Sequence, residues 1–308
     1  MSAPKVALIT GASTGFGRLT SETLARRGYT VFASMRDIAA RNAVNRRELE
    51  SLASDENLDL HVIEMDVTDD TSVERCVAQL TQSSGRLDVV VNNAGFGNWG
   101  LTEAYSVAQF KLIFDTNFFG VVRVNRAVLP LMRRQGSGLL IHISSGAGRV
   151  SIAFMAPYCA TKFALEALAD AYRFELAPWG VDSVIVEPGE YRTPIFDKNM
   201  TAEDVSRASA YGPTAELPSR LFETFTQNMS GPMAQQPQEV ADAILKLMET
   251  PPGQRPLRTL VGQDAQVLEG LNQMSEQIRQ GVMTDLFRMP ELLELKVPRV
   301  ARPASALE

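Results

Sequence analysis

Cysteine and histidine are nearly missing from this 308-residue chain, and each scarcity removes a kind of chemistry. Only Cys76 and Cys159 occur, so at most one disulfide could form, and no set of paired cysteines staples a secreted scaffold. A reducing, cytoplasmic setting is the expectation. His61 and His142 are the only histidines, and with two separated cysteines they leave few ligands for a zinc centre. No metal is therefore expected. His142, inside an apolar run, reads as a core histidine with no catalytic role.

Long hydrophobic runs are also absent: nothing approaches the roughly 20 apolar residues that cross a bilayer as a helix. The opening stretch Met1–Thr10 carries one basic residue and a short apolar run, so it reads as a strand and not as a signal peptide. Basic charge is not in excess, since the formal net charge is −6. Phosphate backbones and anionic membranes have no general electrostatic hold on such a chain, and nucleic acid is excluded as an expected partner.

What is present is an ordinary globular composition, 45% hydrophobic and 21% charged, arranged as alternating strands and helices. Short apolar runs stand at Val6–Ile9, Thr30–Ala33, Leu60–Met65, Leu87–Val91, Leu139–Ile143 and Val181–Val186, with helix-like segments between them. Strands that are apolar throughout imply a sheet covered on both faces. The alternation continues to about Val261 with no linker and no repeat, which predicts an α/β doubly wound parallel sheet of Rossmann type in a single domain. The catalytic domain is expected over 1–263 and a C-terminal helical extension over 264–308, where Leu268, Leu271, Met274 and Ile278 fall at helical spacing. The segment 191–238, rich in Pro, Gly, Met, Phe and Ser, breaks the rhythm and reads as a functional loop.

Two motifs carry chemistry. Gly11, Gly15 and Gly17 lie in a turn between the first strand and the first helix, where backbone N–H groups and the helix dipole face a bound pyrophosphate and a Cβ would block its approach. The spacing differs from the common G-x-G-x-x-G fingerprint, and an ordinary strand-to-helix turn would also carry glycines. Tyr158 and Lys162 are four apart in Phe154–Leu176, a segment of helical apolar spacing, so they share a helix face. A fixed cation beside a phenol lowers its pKa from about 10 toward the range useful for general acid–base catalysis. An exposed helix pair would have the same spacing.

Taken together, Thr10-Gly-x-x-x-Gly-x-Gly17, Asn92-Asn-Ala-Gly95, Asn117, Ser145, Tyr158-x-x-x-Lys162 and Pro188-Gly189 resemble, in order, the motifs of single-domain short-chain dehydrogenase/reductases over about Lys5 to Val261. The resemblance implies that Tyr158 exchanges a proton with the substrate oxygen, that Lys162 binds the nicotinamide ribose and lowers the phenol pKa, and that Ser145 hydrogen-bonds the reacting oxygen. Asn117 would hold a helix kink and a water leading to the lysine. The cofactor would touch Gly11, Ser13, Thr14, Gly15, Phe16 and Gly17, then Asp66 and Val67 beside adenine, and Asn93, Ala94 and Gly95 beside the adenosine ribose. Pro188, Gly189 and Thr193 would flank the nicotinamide. Simpler roles stand beside these: Asn117 as a helix cap or kink, Asp66 in an N-cap region, and Ser144 as competitor to Ser145. Glu190 departs from the family, which more often has a small or apolar residue after the glycine.

Cofactor choice is read from the tip of the second strand, where Ser34-Met35 is followed by Arg36 and no acidic residue. An acid there would bind a ribose diol, whereas arginine favours a 2′-phosphate, so NADP(H) is expected. Leu221, Phe222, Phe225 and Met229 form an apolar helical stripe within 191–238. With Phe96, Trp99, Phe154, Met155, Tyr191 and Phe196 nearby in the family's topology, the segment is expected to be a lid over a lipophilic carbonyl or alcohol substrate, although such a stripe could also pack against the sheet edge. The resemblance further implies a homodimer or homotetramer through Ala104–Arg133 and Phe154–Leu176. Two rival readings are a non-catalytic nicotinamide-binding sensor and an epimerase or dehydratase of a sugar-nucleotide branch. The first usually lacks part of the four-residue set present here, and the second has different glycine spacing and a longer C-terminal domain.

Overall fold

The computed structural model describes residues 4–231 and 234–297. The first three residues of the expected opening strand region, Pro232 and Met233 of the 191–238 segment, and 298–308 of the expected extension lie outside the described residues. Seven strands form one sheet, interleaved with helices: β1 (Val6–Ile9), α1 (Gly15–Arg26), β2 (Thr30–Met35), α2 (Ala43–Asp55), β3 (Leu60–Glu64), α3 (Asp70–Ser84) and β4 (Val89–Asn92). A short strand β5 (Asn98–Trp99) and helix α4 (Val107–Phe114) lead into α5 (Gly120–Gln135), followed by β6 (Gly138–Ile143), α6 (Ala156–Glu175) and β7 (Val181–Pro188). After β7 come β8 (Met200–Thr201), α7 (Val205–Ala210), α8 (Leu217–Asn228), α9 (Gln238–Glu249), β9 (Arg258–Val261) and α10 (Glu269–Gly281).

The order across the sheet is β3-β2-β1-β4-β6-β7-β9, parallel at every pairing, and the single domain is doubly wound. Alternate residues of each strand divide between two cores, as the two-residue period of a strand requires. From β1, Ala7 and Ile9 join Leu24, Leu49, Val240 and Ile244 under α1, α2 and α9, while Val6 and Leu8 join Val77, Leu80, Val124 and Val128 under α3 and α5. Each fully buried leucine or isoleucine here contributes roughly 1.5–3 kcal/mol of transfer free energy. The strand order reverses between β1 and β4, and the loops at their C-terminal ends open the crevice where ligands bind in such sheets.

The segment 191–238 is not a long irregular loop. It folds into α7, α8 and 3₁₀ turns, and β8 pairs in parallel with β5, tying the segment to the loop after β4. The stripe on α8 explains the order: Leu221, Phe222 and Phe225 pack on Trp99, Met155 and Cys159. The stretch just after 263 packs against the sheet domain, with Ala265 and Leu268 buried. Among the described residues, no helix is long and apolar enough to cross a membrane.

Candidate active site

One cleft of about 660 Å³ runs along the C-terminal ends of β1, β2, β4, β6 and β7. At its floor the turn after β1 takes left-handed backbone at Gly11 (φ 66°) and Gly15 (φ 59°). A Cβ on Gly11 would lie 2.8 Å from Ala94 Cα, and one on Gly17 would lie 2.5 Å from Asn93 Nδ2 and 2.6 Å from the Gly11 carbonyl. Only glycine fits this approach of two loops. Asn93 and Thr10 lock it: Asn93 Nδ2 donates to Thr10 O at 2.8 Å, and Thr10 Oγ1 accepts from Asn93 N and Ala94 N, both at 2.9 Å. The Asn93 side chain is thus engaged within the protein, leaving the Ala94–Gly95 backbone to face the cleft. The first turn of α1 has no acidic residue and no side-chain cap on its N–H groups, which leaves them free for an anion.

Gly11-Ala12-Ser13-Thr14-Gly15 also has Gly-x-Ser-x-Gly spacing, the pattern of an esterase nucleophile elbow. No base serves Ser13 in that way. His142 is fully buried in β6 and held neutral, its pKa lowered to about 3 by burial, and His61 pairs with Asp59 on β3.

Where the adenosine end of a dinucleotide would lie, Arg36 follows β2 and Asp66 follows β3, both lining the cleft with Val67. Arg36 Nη1 stands 3.9 Å from Asp66 Oδ2, a loose and solvent-exposed pairing that leaves the guanidinium available. Asp66 Oδ1 accepts from Thr68 N at 2.9 Å and Thr68 Oγ1 at 2.7 Å, and Asp66 N donates to Ser72 Oγ of α3 at 3.0 Å, so Asp66 belongs to the N-cap region of α3 while the cap itself is Asp69. Arg41 and Asn42 line the same end, and Asn42 Nδ2 donates to the Arg36 carbonyl at 2.6 Å. Neither follows from the motifs, although Arg41, a second arginine five residues after Arg36, is a signal in the sequence.

At the other end stand Ser145, Tyr158 and Lys162, all lining the cleft. Ser144 also lines the cleft but is buried against Gly148, while Ser145 begins a 3₁₀ turn at Gly146–Gly148 with its Oγ accepting from Ala147 N at 3.1 Å. Lys162 Nζ donates to Ile143 O at 2.7 Å and lies 5.5 Å from the centre of the Tyr158 ring. Burial pushes the Tyr158 phenol up to about 12, against the lowering pull of the Ser145 hydroxyl, and burial lowers Lys162 to about 8. The expected depression of the phenol is therefore not built into the protein alone, because the ammonium is bonded to the Ile143 carbonyl and desolvation dominates.

Asn117 sits in a π-helical turn, Asp115–Phe119, between α4 and α5, where the resemblance implies a helix kink. Its Oδ1 accepts from Phe96 N at 3.0 Å, and its Nδ2 donates to Phe96 O at 2.9 Å and Thr161 Oγ1 at 3.2 Å. The side chain thereby ties the loop after β4 to α6.

The remaining wall is assembled from 188–199, α8 and the start of the C-terminal segment. Tyr191 packs edge-on against Phe16 at 5.7 Å and donates to Glu239 Oε2 at 2.8 Å, and Thr193 is buried beside Gly15. Glu190 reaches the cleft and is pushed up by burial, with Asp264 accepting from its N–H at 2.7 Å. Phe96, Met155, Tyr191, Phe196 and Phe225 line the cleft. Trp99 stands behind them, edge-on to Phe222 and Phe225 at 5.4 and 5.3 Å, with its indole N–H donating to the Pro218 carbonyl. Phe154 does not line the cleft: its backbone is left-handed (φ 67°) and its carbonyl accepts from Gly100 N at 2.9 Å. Asp264, Ala265, Val267 and Leu268 complete the wall and were missed, since nothing in their local pattern shows that a 3₁₀ turn after β9 folds back over Gly146.

A doubly wound parallel sheet with an anion-ready glycine turn and a Ser, Tyr and Lys group at the same crevice defines the dinucleotide-binding oxidoreductase class. Within it, residues 5–204 match the family model described as short chain dehydrogenase, and the chain belongs to that family, whose members act on CH–OH or carbonyl groups. It is 32% identical to a 3-ketodihydrosphingosine reductase of Bacteroides thetaiotaomicron over 73% of this chain and 78% of the relative. It is 37% identical to human retinol dehydrogenase 8, over 70% of this chain and 67% of that protein. A solved short-chain dehydrogenase from Streptomyces avermitilis superposes with a TM-score of 0.73 at 32% identity, covering 92% of this chain and 98% of that one. Other solved structures of the same fold, 27% and 26% identical, are complexes with NADPH and with 5-hydroxy-NADP.

Proposed function

We propose that this chain is an NADP(H)-dependent oxidoreductase that interconverts a ketone or aldehyde with an alcohol on a lipophilic substrate, using Tyr158 as general acid and base. The observation that carries the reading is the convergence of Ser145, Tyr158 and Lys162 on the same cleft as the glycine turn. The residues present fit a dinucleotide: the Gly11–Gly17 floor has no room for a Cβ, the uncapped first turn of α1 suits a pyrophosphate, and Arg36 with Arg41 offers cations to a 2′-phosphate. Bound NADPH supplies a hydride to the carbonyl carbon. Asp66, Val67 and the Asn93–Gly95 backbone bound the adenosine end, and Pro188, Gly189 and Thr193 the nicotinamide end.

Tyr158 holds its proton across the ordinary pH range, since its pKa is pushed up to about 12, so donating that proton to a substrate oxygen is the step for which it is poised. Ser145 holds the oxygen. The Lys162 ammonium stabilises the phenolate left behind, and Asn117 fixes the kinked helix that faces α6. Phe96, Met155, Phe196 and Phe225 give the substrate end an apolar, aromatic lining that suits a lipophilic ketone better than a small charged keto acid. Exposed Val107, Leu112 and Phe119 on the α4–α5 face supply an apolar surface for a homo-oligomer. The test is NADPH oxidation followed by absorbance against ketones and aldehydes graded in size and polarity. Turnover should be fastest with bulky hydrophobic ketones. Efficient reduction of small charged keto acids with poor activity on bulky ketones would reject the substrate class, and cofactor binding without turnover on any substrate would reject the enzyme.

A further inference from the structure

Behind Lys162 lies a second charged cluster, enclosed within the fold, for which the oxidoreductase reading has no task. Glu166 stands one turn after Lys162 on α6, Glu187 precedes Pro188 on β7, and Arg258 opens β9. Glu166 is 3% exposed and Glu187 is 0% exposed. Arg258 Nε lies 2.9 Å from Glu166 Oε2 and 3.5 Å from Glu187 Oε1, and its Nη2 donates to Asp170 Oδ1 at 2.9 Å. From the far side Arg149 Nε stands 3.8 Å from Glu187 Oε1, and Asn272 of α10 donates to Glu187 Oε2 at 2.5 Å.

Two observations direct this cluster toward Lys162. A Cβ on Gly148 would come 2.7 Å from Ser144 Oγ and 3.2 Å from both Glu166 Cγ and Lys162 Cβ, so the two charged side chains are packed against one glycine. Ser144 also stands toward the Glu166 carboxylate, and Glu187 Oε1 is buried without a hydrogen-bond partner among the described residues. Buried ion networks stabilise a fold no better than apolar packing of equal volume, so their placement is the informative feature.

We propose that Glu166 is a positioning residue for Lys162, its buried carboxylate, paired with Arg258, being the counter-charge that keeps the lysine protonated inside the fold. The proposal rests on the reading of Lys162 as partner of Tyr158. Lys162 faces Tyr158 and Glu166 on its own helix and His142 from β6, with Glu187 and Arg258 of β7 and β9 behind Glu166. His142 is neutral, so Glu166 is the group opposing the desolvation that lowers Lys162. Burial pushes both carboxyls up, Glu187 to about 7 with the Glu166 charge adding to the rise, while Arg258, nearer to Glu166, pulls that carboxyl back down. Removing the Glu166 charge leaves desolvation unopposed, and Lys162 then loses its proton at a lower pH.

The experiment compares the full chain with Glu166→Gln, Glu166→Asp and Glu187→Gln, reading the pH profile of kcat/KM, NADPH affinity by fluorescence, and the melting temperature of the cofactor-free protein. Glu166→Gln should move the alkaline limb of both profiles down by about one pH unit, the order expected for loss of one neighbouring buried charge. Glu166→Asp, which keeps a charge for Arg258 but withdraws it by one methylene, should move the limb less, and it carries the test if the glutamine variant does not fold. Glu187→Gln should not lower it. A loss uniform in pH, an unmoved limb, or an equal shift from Glu187→Gln overturns the proposal. The cofactor-free melts separate the two readings. A lysine whose folded pKa is lowered adds stability as pH rises from that pKa toward the unfolded value near 10.4, and in Glu166→Gln this rise should begin at lower pH. Wild-type protein that binds no NADPH would reject the function proposed above, while these melts would still decide the role of Glu166.

Discussion

The two rims of the cleft are built by opposite means. The rim under the glycine turn is made mainly of backbone: Gly11, Gly17, Ala94 and Gly95 are held by hydrogen bonds among Thr10 and Asn93, and there is no room for a Cβ at Gly11 or Gly17. The opposite rim is made of side chains, with Phe225 and Met155 in front of Trp99 and Phe222, and Leu268 folding over Gly146. A backbone rim can accept only what matches its N–H groups, such as a phosphate. A rim of aromatic and methionine side chains can repack around different shapes. On this view cofactor recognition is the rigid half of the site and substrate recognition the adaptable half.

Tyr158 stands where the halves meet, and its removal should give the largest effect. Tyr158→Phe should lower kcat/KM by roughly 10²–10⁴ for every substrate, since it deletes the acid itself, while NADPH affinity stays within a few-fold of wild type. Near wild-type turnover on any good substrate would place the proton elsewhere. Arg36→Asp should act on one half alone. Losing charge-assisted bonds to a 2′-phosphate should weaken NADPH about 10–100-fold and leave NADH binding and substrate preference nearly unchanged. Equal wild-type affinity for the two cofactors, measured by titration, would remove the assignment of Arg36.

The same division governs what could be read in the sequence. The backbone rim was legible because left-handed turns and close approaches demand glycine, and because Tyr158 and Lys162 four apart must share a helix face. The strands were legible from apolar runs buried on both faces, with only small shifts: β4 starts at Val89 where Leu87 was expected, and β7 continues to Pro188. The side-chain rim was legible only in part. Phe225 and Met155 line the cleft as anticipated, whereas Trp99 is a backing residue and Phe154 turns away. Asp264 to Leu268 join the wall through a return of the chain after β9 that no local pattern encodes. Glu166, Glu187 and Arg258 were invisible for the same reason: three charged residues on separate elements look like solvated surface until the fold encloses them.

The smallest effect tests the adaptable half directly. Phe225 lines the cleft and leans on Trp99 at 5.3 Å, so Phe225→Ala removes an apolar contact from the substrate side without touching the glycine turn, Tyr158 or Lys162. Part of the loss will be structural, because the ring also packs in the α8 cluster, and a lowered melting temperature is expected. The informative quantity is therefore the ratio between two substrates measured on the same variant. For a bulky hydrophobic ketone, KM should rise about 5- to 30-fold, the value of roughly 1–2 kcal/mol of lost apolar burial. For a small ketone that never reaches Phe225, KM should change less than about two-fold, and NADPH affinity should not change. If both ketones lose equally, α8 supports the fold and not the substrate, and the aromatic rim is a core edge instead of a recognition surface.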